Sequence, residues 1–384
     1  MSVIMRNICG GGSGSSSSKG FPPGDVTNIK IRSGTKCAKI KWEEPEIISS
    51  YNGTTLSTWF STILVRNDDH YPNSIKDGEI VLINTERNKY KDDCFTDSNV
   101  TVDKTYYYRF YTMSTDKVYN DSSYMICKVL IREYDPILKN NSWEDIAEAS
   151  EAGVARDLWN IGDEIEVNIP KMTIQGLSNV PSSTDTIIYN STAIFQIWDF
   201  DHFDKSDGSG KAGICFGMKN LLNASDARMD ISTYQYTDGG WNNMYMKTTV
   251  MPTILKKLDQ DLQNVIKEVN TYANEGGGSG TESIGRLSTD KLFIPGHTEV
   301  FGTDDAGYSY LQRTESGQIQ FPIFTDDNSR KKYLGNNTSN YGSYWTRSPM
   351  YSENYYFCGV TQSGRVFTIQ PSSGRSAICL IFNV

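Results

Sequence analysis

The sequence predicts a multi-domain chain in which an all-β sandwich is followed by an α+β domain. Three observations lead there. From Asp25 to Arg132 apolar and polar residues alternate in short runs broken by Gly, Asn and Asp clusters, the period of half-buried strands. From residue 135 onward such runs mix with apolar residues spaced three and four apart, the period of a helix facing a core. The 384 residues also exceed what one core usually serves, so two or three domains are expected.

Residues 1–24 read as a docking arm and its linker. The run from Gly10 to Gly24 is dominated by Gly and Ser, a composition that buries little apolar surface and behaves as a flexible tether. The short apolar segment 3–8 then sits at the end of a leash, placed to dock on another protein.

Residues 25–134 form the sandwich in this reading, with strands expected at 26–31, 38–42, 60–65, 79–83 and 106–111. A tryptophan in the second strand, Trp42, is followed by Glu43-Glu44-Pro45, and a tyrosine-rich strand, Thr105-Tyr106-Tyr107-Tyr108-Arg109-Phe110, comes late in the unit. This order resembles a fibronectin type III domain, which implies an immunoglobulin-like sandwich. The segment Asp77-Gly78-Glu79-Ile80-Val81 with residues 90–97 looks like the version found in bacteriophage tail and capsid-associated proteins. Such modules are usually spacers, and the resemblance names no ligand.

Residues 135–384 form the α+β domain. Ser142, with Glu144 and Asp145 after it, starts a helix over 142–149. The strongest helix signal spans 251–273, where Pro252 suits the first turn and Ile254, Leu255, Leu258, Leu262, Val265, Ile266 and Val269 form a stripe. Asn274-Glu275-Gly276-Gly277 then ends that helix in a loop. Trp159-Asn160-Ile161-Gly162-Asp163, Trp198-Asp199-Phe200, Gly240-Trp241-Asn242-Asn243, Glu299-Val300-Phe301-Gly302, Trp345-Thr346-Arg347-Ser348-Pro349 and Gly374-Arg375-Ser376-Ala377 follow in order. The succession, over nearly all of 142–384, resembles an uncharacterised family of domains from gut Firmicutes and their phages, marked by a Trp-x-Arg-Ser-Pro core and a terminal Gly-Val-Arg-Pro-Ala strand. Here that last piece lacks the proline. The closing motifs also look like the end of the C-type-lectin-like fold, as in formylglycine-generating enzymes and retroelement-diversified proteins.

Composition narrows the function. A net charge of −9 and the lack of long basic runs argue against a nucleic-acid partner. No apolar stretch is long enough to span a bilayer, and the first residues lack the apolar core of a secretory signal. Seven cysteines at irregular spacing, without Cys-x-x-Cys, suit reduced and mostly buried thiols in a protein made in the cytosol.

The dense acidic stretch Asp199-Phe200-Asp201-His202-Phe203-Asp204-Lys205-Ser206-Asp207 offers oxygens to a divalent cation, but no frame fits an EF-hand loop. It reads as a strand end and polar turn, and no metal or cofactor is assigned. His70, His202 and His297 are the only histidines. Cys215, Cys358 and Cys379 lie in apolar strand contexts that suppress thiolate chemistry. No catalytic residue is therefore assigned, and the chain reads as a non-enzyme. The positive signal is the density of Tyr, Asn and Ser in 335–344 and 350–356. Tyrosine supplies a rigid face with a polar tip, while Asn and Ser adapt their hydrogen bonds. The candidate ligand-binding residues are Asn340, Tyr341, Tyr351, Asn354, Tyr355 and Tyr356, with Trp345, Arg347 and Pro349 assigned to framework.

The resemblances together imply a phage structural protein, a tail fibre or receptor-binding protein assembled in the host cytoplasm. Its arm (1–24) would dock on other virion proteins and its last domain would recognise a host-surface glycan or protein. Virion proteins of this kind are symmetric oligomers, most often trimers. The alternatives are a capsid decoration protein or head fibre, a bacterial surface adhesin, and a glycan-active enzyme.

Overall fold

The computed structural model describes residues 20–176, 185–225, 227–231, 236–276, 285–302, 315–335, 339–350, 353–371 and 375–384. The chain divides into two compact units after Glu133. Strands dominate both, and among the described residues no helix is long and apolar enough to cross a membrane.

The first unit is all-β. One sheet orders Thr27–Gly34, Cys37–Glu43 and Phe95–Asp97; the other is built on Thr54–Asn67 and Thr105–Ser114, with Ile48–Tyr51, Glu79–Asn84, Tyr119–Asn120 and Ile126–Leu130 along them. Alternation sends Ala38, Ile40 and Trp42 from the first sheet and Leu64, Tyr106, Tyr108 and Phe110 from the second into one shared core. Trp42 lies 5.0 Å from Phe110 and 4.8 Å from Tyr90, ring centre to ring centre. Its indole N–H donates to Glu44, whose carboxylate also accepts from Thr62 and Asn84. A buried carboxylate needs those donors, because burial alone raises its pKa. The outer face of Thr54–Asn67 is also covered: Ile63, Val65 and Tyr111 pack with Ile75, and Tyr111 donates to the Pro72 carbonyl. The two-sheet architecture agrees with the all-β sandwich expected from the alternation.

The second unit holds a five-stranded antiparallel sheet ordered Glu164–Ile169, Ser191–Phe200, Ile214–Met218, Ile381–Asn383, Leu292–Phe293. Ile381–Asn383 therefore lies inside the sheet, between partners distant in sequence, and is fully buried. Gly217 is required beside it, since a Cβ there would meet the Trp198 ring at 2.2 Å. Helix Trp143–Glu151 starts at the expected place: Ser142 and Asp145 form a reciprocal capping box. The helix packs Trp143 edge-on against Phe216 (5.6 Å) and Phe382 (5.8 Å). A three-stranded sheet, Tyr344–Pro349, Phe357–Val360 and Val366–Ile369, carries the Trp345 motif.

The expected helix over 251–273 is corrected by the structure. A wide π turn at Met246–Val250 leads into the short helix Met251–Leu255, a second helix covers Gln260–Val265, and Val269–Ala273 is a strand. The wide turn precedes Pro252, which has no N–H to give an ordinary helical turn. The apolar stripe marked burial correctly, since Ile254, Leu258, Leu262, Ile266 and Val269 are all buried. It did not mark a helix, because Val269–Ala273 alternates inside and outside and pairs with Arg286–Asp290.

Candidate functional site

A β-hairpin on the second unit builds the candidate site. Lys332–Tyr333 pairs antiparallel with Tyr341–Gly342, with Tyr333 directly opposite Tyr341 and Lys332 opposite Gly342. Alternation sends Lys332 and Gly342 inward and leaves the two tyrosines outside. The rings stack, with centroids 4.3 Å apart and planes 16° apart, and Tyr341 donates its hydroxyl to that of Tyr333 at 3.0 Å.

The inward positions hold this pair in place. The Lys332 ammonium donates to the Met218 carbonyl (2.6 Å) and lies 4.6 Å from the Trp198 ring centre and 5.6 Å from that of Phe324. Burial pushes the pKa of Lys332 down, and the carbonyl and aromatic faces compensate the lost hydration. Gly342 allows close approach: a Cβ there would come within 2.4 Å of Leu334 and 2.6 Å of Leu221. Backbone bonds from Leu221 N–H to the Tyr333 carbonyl (2.8 Å) and from Leu334 N–H to the Asn340 carbonyl (3.0 Å) tie the hairpin down.

Beside Tyr341 lies an open hollow of about 680 Å³, lined by Lys331, Leu334, Ser339, Asn340, Tyr341, Gln362 and Ser363. Its far wall is the turn before Val366–Ile369. Gly364 makes this turn possible with φ +85°, and a Cβ there would strike the Asp327 carbonyl at 1.8 Å. Amides, hydroxyls, one phenol and one ammonium thus converge on one concave surface.

Of the candidate residues, the structure brings Asn340 and Tyr341 together here. Tyr355 instead pairs with Tyr236 at 5.4 Å, both exposed. Asn354 is half-buried, and its carbonyl accepts from Thr237 N–H at 2.9 Å. Tyr356 packs against the core and accepts at its carbonyl from Met350 N–H, so it is a poor contact residue. Tyr351 lies outside the described residues. Lys331, Leu334, Ser339, Gln362 and Ser363 of the lining, and Tyr333 behind it, are not among the candidates. A signal for Tyr333 did exist, since a turn-forming Gly-Asn-Asn-Thr run between two flanking tyrosines marks a hairpin. None existed for Gln362 or Ser363, which reach the hollow only through tertiary folding.

Trp345, Arg347 and Pro349 lie in a fully buried strand. Trp345 donates to the Ala227 carbonyl at 2.9 Å. Arg347 forks onto Glu299, with Nη1 to Oε2 at 2.8 Å and Nη2 to Oε1, and also donates to the Ile294 (2.8 Å) and Tyr272 (3.1 Å) carbonyls. Ser348 donates to Glu315, which accepts as well from Asn274 N–H (2.8 Å) and Gln318 (2.7 Å). Burial outweighs these donors and raises the Glu315 pKa to about 7. Both carboxyls are buried.

The other candidate chemistry is dispersed. Asp199 holds His202 (2.8 Å), Asp201 lies near Arg156 (3.4 Å), Asp204 pairs with Lys211 (3.0 Å), and Asp207 accepts from Ser209 N–H. Each carboxylate has its own partner, and no metal-competent cluster occurs among the described residues. His202 stacks on Phe321 at 4.1 Å, and His297 is buried, its pKa pushed down to about 3 by burial. Cys215, Cys358 and Cys379 are buried and in no disulfide among the described residues, and burial raises the Cys379 thiol to about 11.

Residues 219–383 match the family described as a domain of unknown function, DUF6273. The match includes the hairpin, the hollow and the Trp345–Pro349 segment. No curated protein matches the chain. Among solved structures the chain is similar to the solution structure of the sixth fibronectin type III domain from human fibronectin type III domain containing protein 3. The identity is 15% over 32% of this chain and 95% of that domain, with a TM-score of 0.21.

Proposed function

We propose that the second unit is a non-catalytic recognition module that binds a saccharide at the Tyr333–Tyr341 hollow. We propose further that the chain displays it toward a host surface, as a tail fibre or receptor-binding protein does. The observation that carries the reading is the stacked tyrosine pair, with Tyr341 exposed and Tyr333 half-buried behind it, beside a concave surface whose rim is amide and hydroxyl. Phenol rings give sugars an apolar face and a hydroxyl partner together, while the amides match sugar hydroxyls. The prealigned pair loses little side-chain entropy on binding. Burial of Cys215, Cys358, Cys379 and His297 in the second unit supports a module without nucleophilic chemistry. The Gly- and Ser-rich composition of residues 10–19 supports display from a tether, whereas the Pro23 and Gly24 carbonyls accept from Asn120 and Thr112 (both 2.9 Å) and so belong to the first unit.

The test is binding of the full chain to an array of bacterial surface polysaccharides, with Tyr341→Ala alongside. Retention by the wild type, loss of about tenfold or more in affinity for the variant, and no growth of reducing ends over time are expected. Equal binding by Tyr341→Ala, or release of sugar products, would overturn the reading.

A further inference from the structure

The hollow has a charge as well as a shape. Among the described residues its one charged lining residue is a cation, Lys331, in a chain whose net charge is −9. The Lys331 ammonium donates to the side-chain oxygen of Asn328 at 2.7 Å and lies 5.9 Å from the centre of the Tyr341 ring. Neither neighbour is anionic, and no ion pair joins Lys331 to a carboxylate among the described residues. The acids on the adjoining helix are engaged elsewhere. Asp327 is held between Arg330 (3.0 Å) and Arg365 (3.2 Å), and Asp326 accepts from Ser329 N–H at 2.8 Å, capping its helix. The hollow therefore presents a positive charge that the fold leaves uncompensated, beside the phenol pair and the side-chain amides of Asn340 and Gln362. An uncompensated cation in a concave, partly desolvated surface favours a ligand of opposite charge and disfavours its neutral counterpart.

We infer that the saccharide taken at this hollow carries an anionic group, a carboxylate or a phosphodiester, and that Lys331 selects for it. This rests on the saccharide reading above. The phenols and amides hold the sugar, and the ammonium makes a charge-assisted hydrogen bond to the anion. Half-buried and at a surface, that bond weakens with added salt.

The experiment measures binding of the full chain to four probes: an oligogalacturonate, the same oligosaccharide with its carboxyls reduced to alcohols, a glycosylated poly(glycerol phosphate), and a neutral glucan. Wild type, Lys331→Gln, Lys331→Arg and Tyr341→Ala are compared after equal melting temperatures are confirmed. The expected result is that the uronate or the phosphate polymer binds at least about fivefold to tenfold more tightly than the neutral probes. Which of the two binds identifies the anion. Lys331→Gln should remove most of that preference, Lys331→Arg should keep it, and Tyr341→Ala should weaken every probe that binds. Binding of both anionic probes no tighter than that of the neutral ones, or an unchanged preference in Lys331→Gln, overturns the inference while leaving a neutral-sugar site standing. A wild type that binds none of the probes, or a Tyr341→Ala variant that binds like wild type, removes the saccharide reading itself.

Discussion

Replacing Arg347 by Met tests what holds the second unit together. Arg347 and Glu299 are 0% and 1% exposed, so the substitution leaves a buried carboxylate whose one remaining donor among the described residues is the Gly296 N–H, at 2.8 Å. It also strips the Ile294 carbonyl of its Arg347 donor, whereas the Tyr272 carbonyl keeps Gln318 at 2.7 Å. Breaking a buried pair from one side costs about 3–5 kcal/mol, and a buried carbonyl left unpaired adds about 1–3 kcal/mol. A loss of about 5 kcal/mol is comparable with the whole stability of many domains. The double variant Arg347→Met/Glu299→Leu removes both charges and should recover about 2 kcal/mol or more of that loss, because the uncompensated carboxylate is gone. Urea unfolding followed by tryptophan fluorescence reads this well, since Trp143, Trp159, Trp198, Trp241 and Trp345 all lie in the second unit. Transitions from the two units are fitted separately. A single variant within about 1 kcal/mol of wild type, or a double variant no more stable than the single, would refute the argument that this pair anchors the Trp345 strand.

Other outcomes follow from the same contacts. Glu315, at about 7 in the folded chain against 4.5 unfolded, holds more protons folded than unfolded between those values, so its contribution falls as pH rises through that window. His297, depressed to about 3 from 6.5, acts oppositely, and its contribution is lost as pH falls from 6.5 toward 3. Because His297 is common to both chains, Glu315→Gln should gain about 3 kcal/mol on wild type between pH 4.5 and 7; a pH-independent difference in unfolding free energy would contradict this. Gly217→Ala forces a Cβ to 2.2 Å from the Trp198 ring and so disturbs the floor under Lys332. It should cost about 1–3 kcal/mol or more, visible as a lower melting temperature, and an unchanged melting temperature would show that Trp198 can yield. Tyr355→Ala should leave saccharide affinity within about twofold, because Tyr355 pairs with Tyr236 and does not line the hollow; a loss matching that of Tyr341→Ala would extend the site to that pair.

Local chemistry made much of this molecule legible in advance. Alternation alone places Ala38, Ile40 and Trp42 inward, because side chains on a pleated strand point to opposite faces wherever it sits. Ser142 and Asp145 announce a helix start because both capping bonds lie within one turn. The Tyr- and Asn-rich run near residue 340 contains Asn340 and Tyr341 of one wall of the hollow, and strand alternation turns Tyr341 outward. Tertiary structure decided the rest. The stripe over 251–273 reported which side chains are buried, yet its end is a strand because residues far along the chain supply backbone partners: Arg286–Asp290 pairs with it, and the Asn383 carbonyl accepts from Lys267 N–H just before it. Likewise Gln362 and Ser363 meet Lys331 and Tyr341 only after two separate turns are brought together. Periodicity records exposure, whereas the identity of a backbone partner and the far wall of a hollow depend on long-range contacts that no local run of residues encodes.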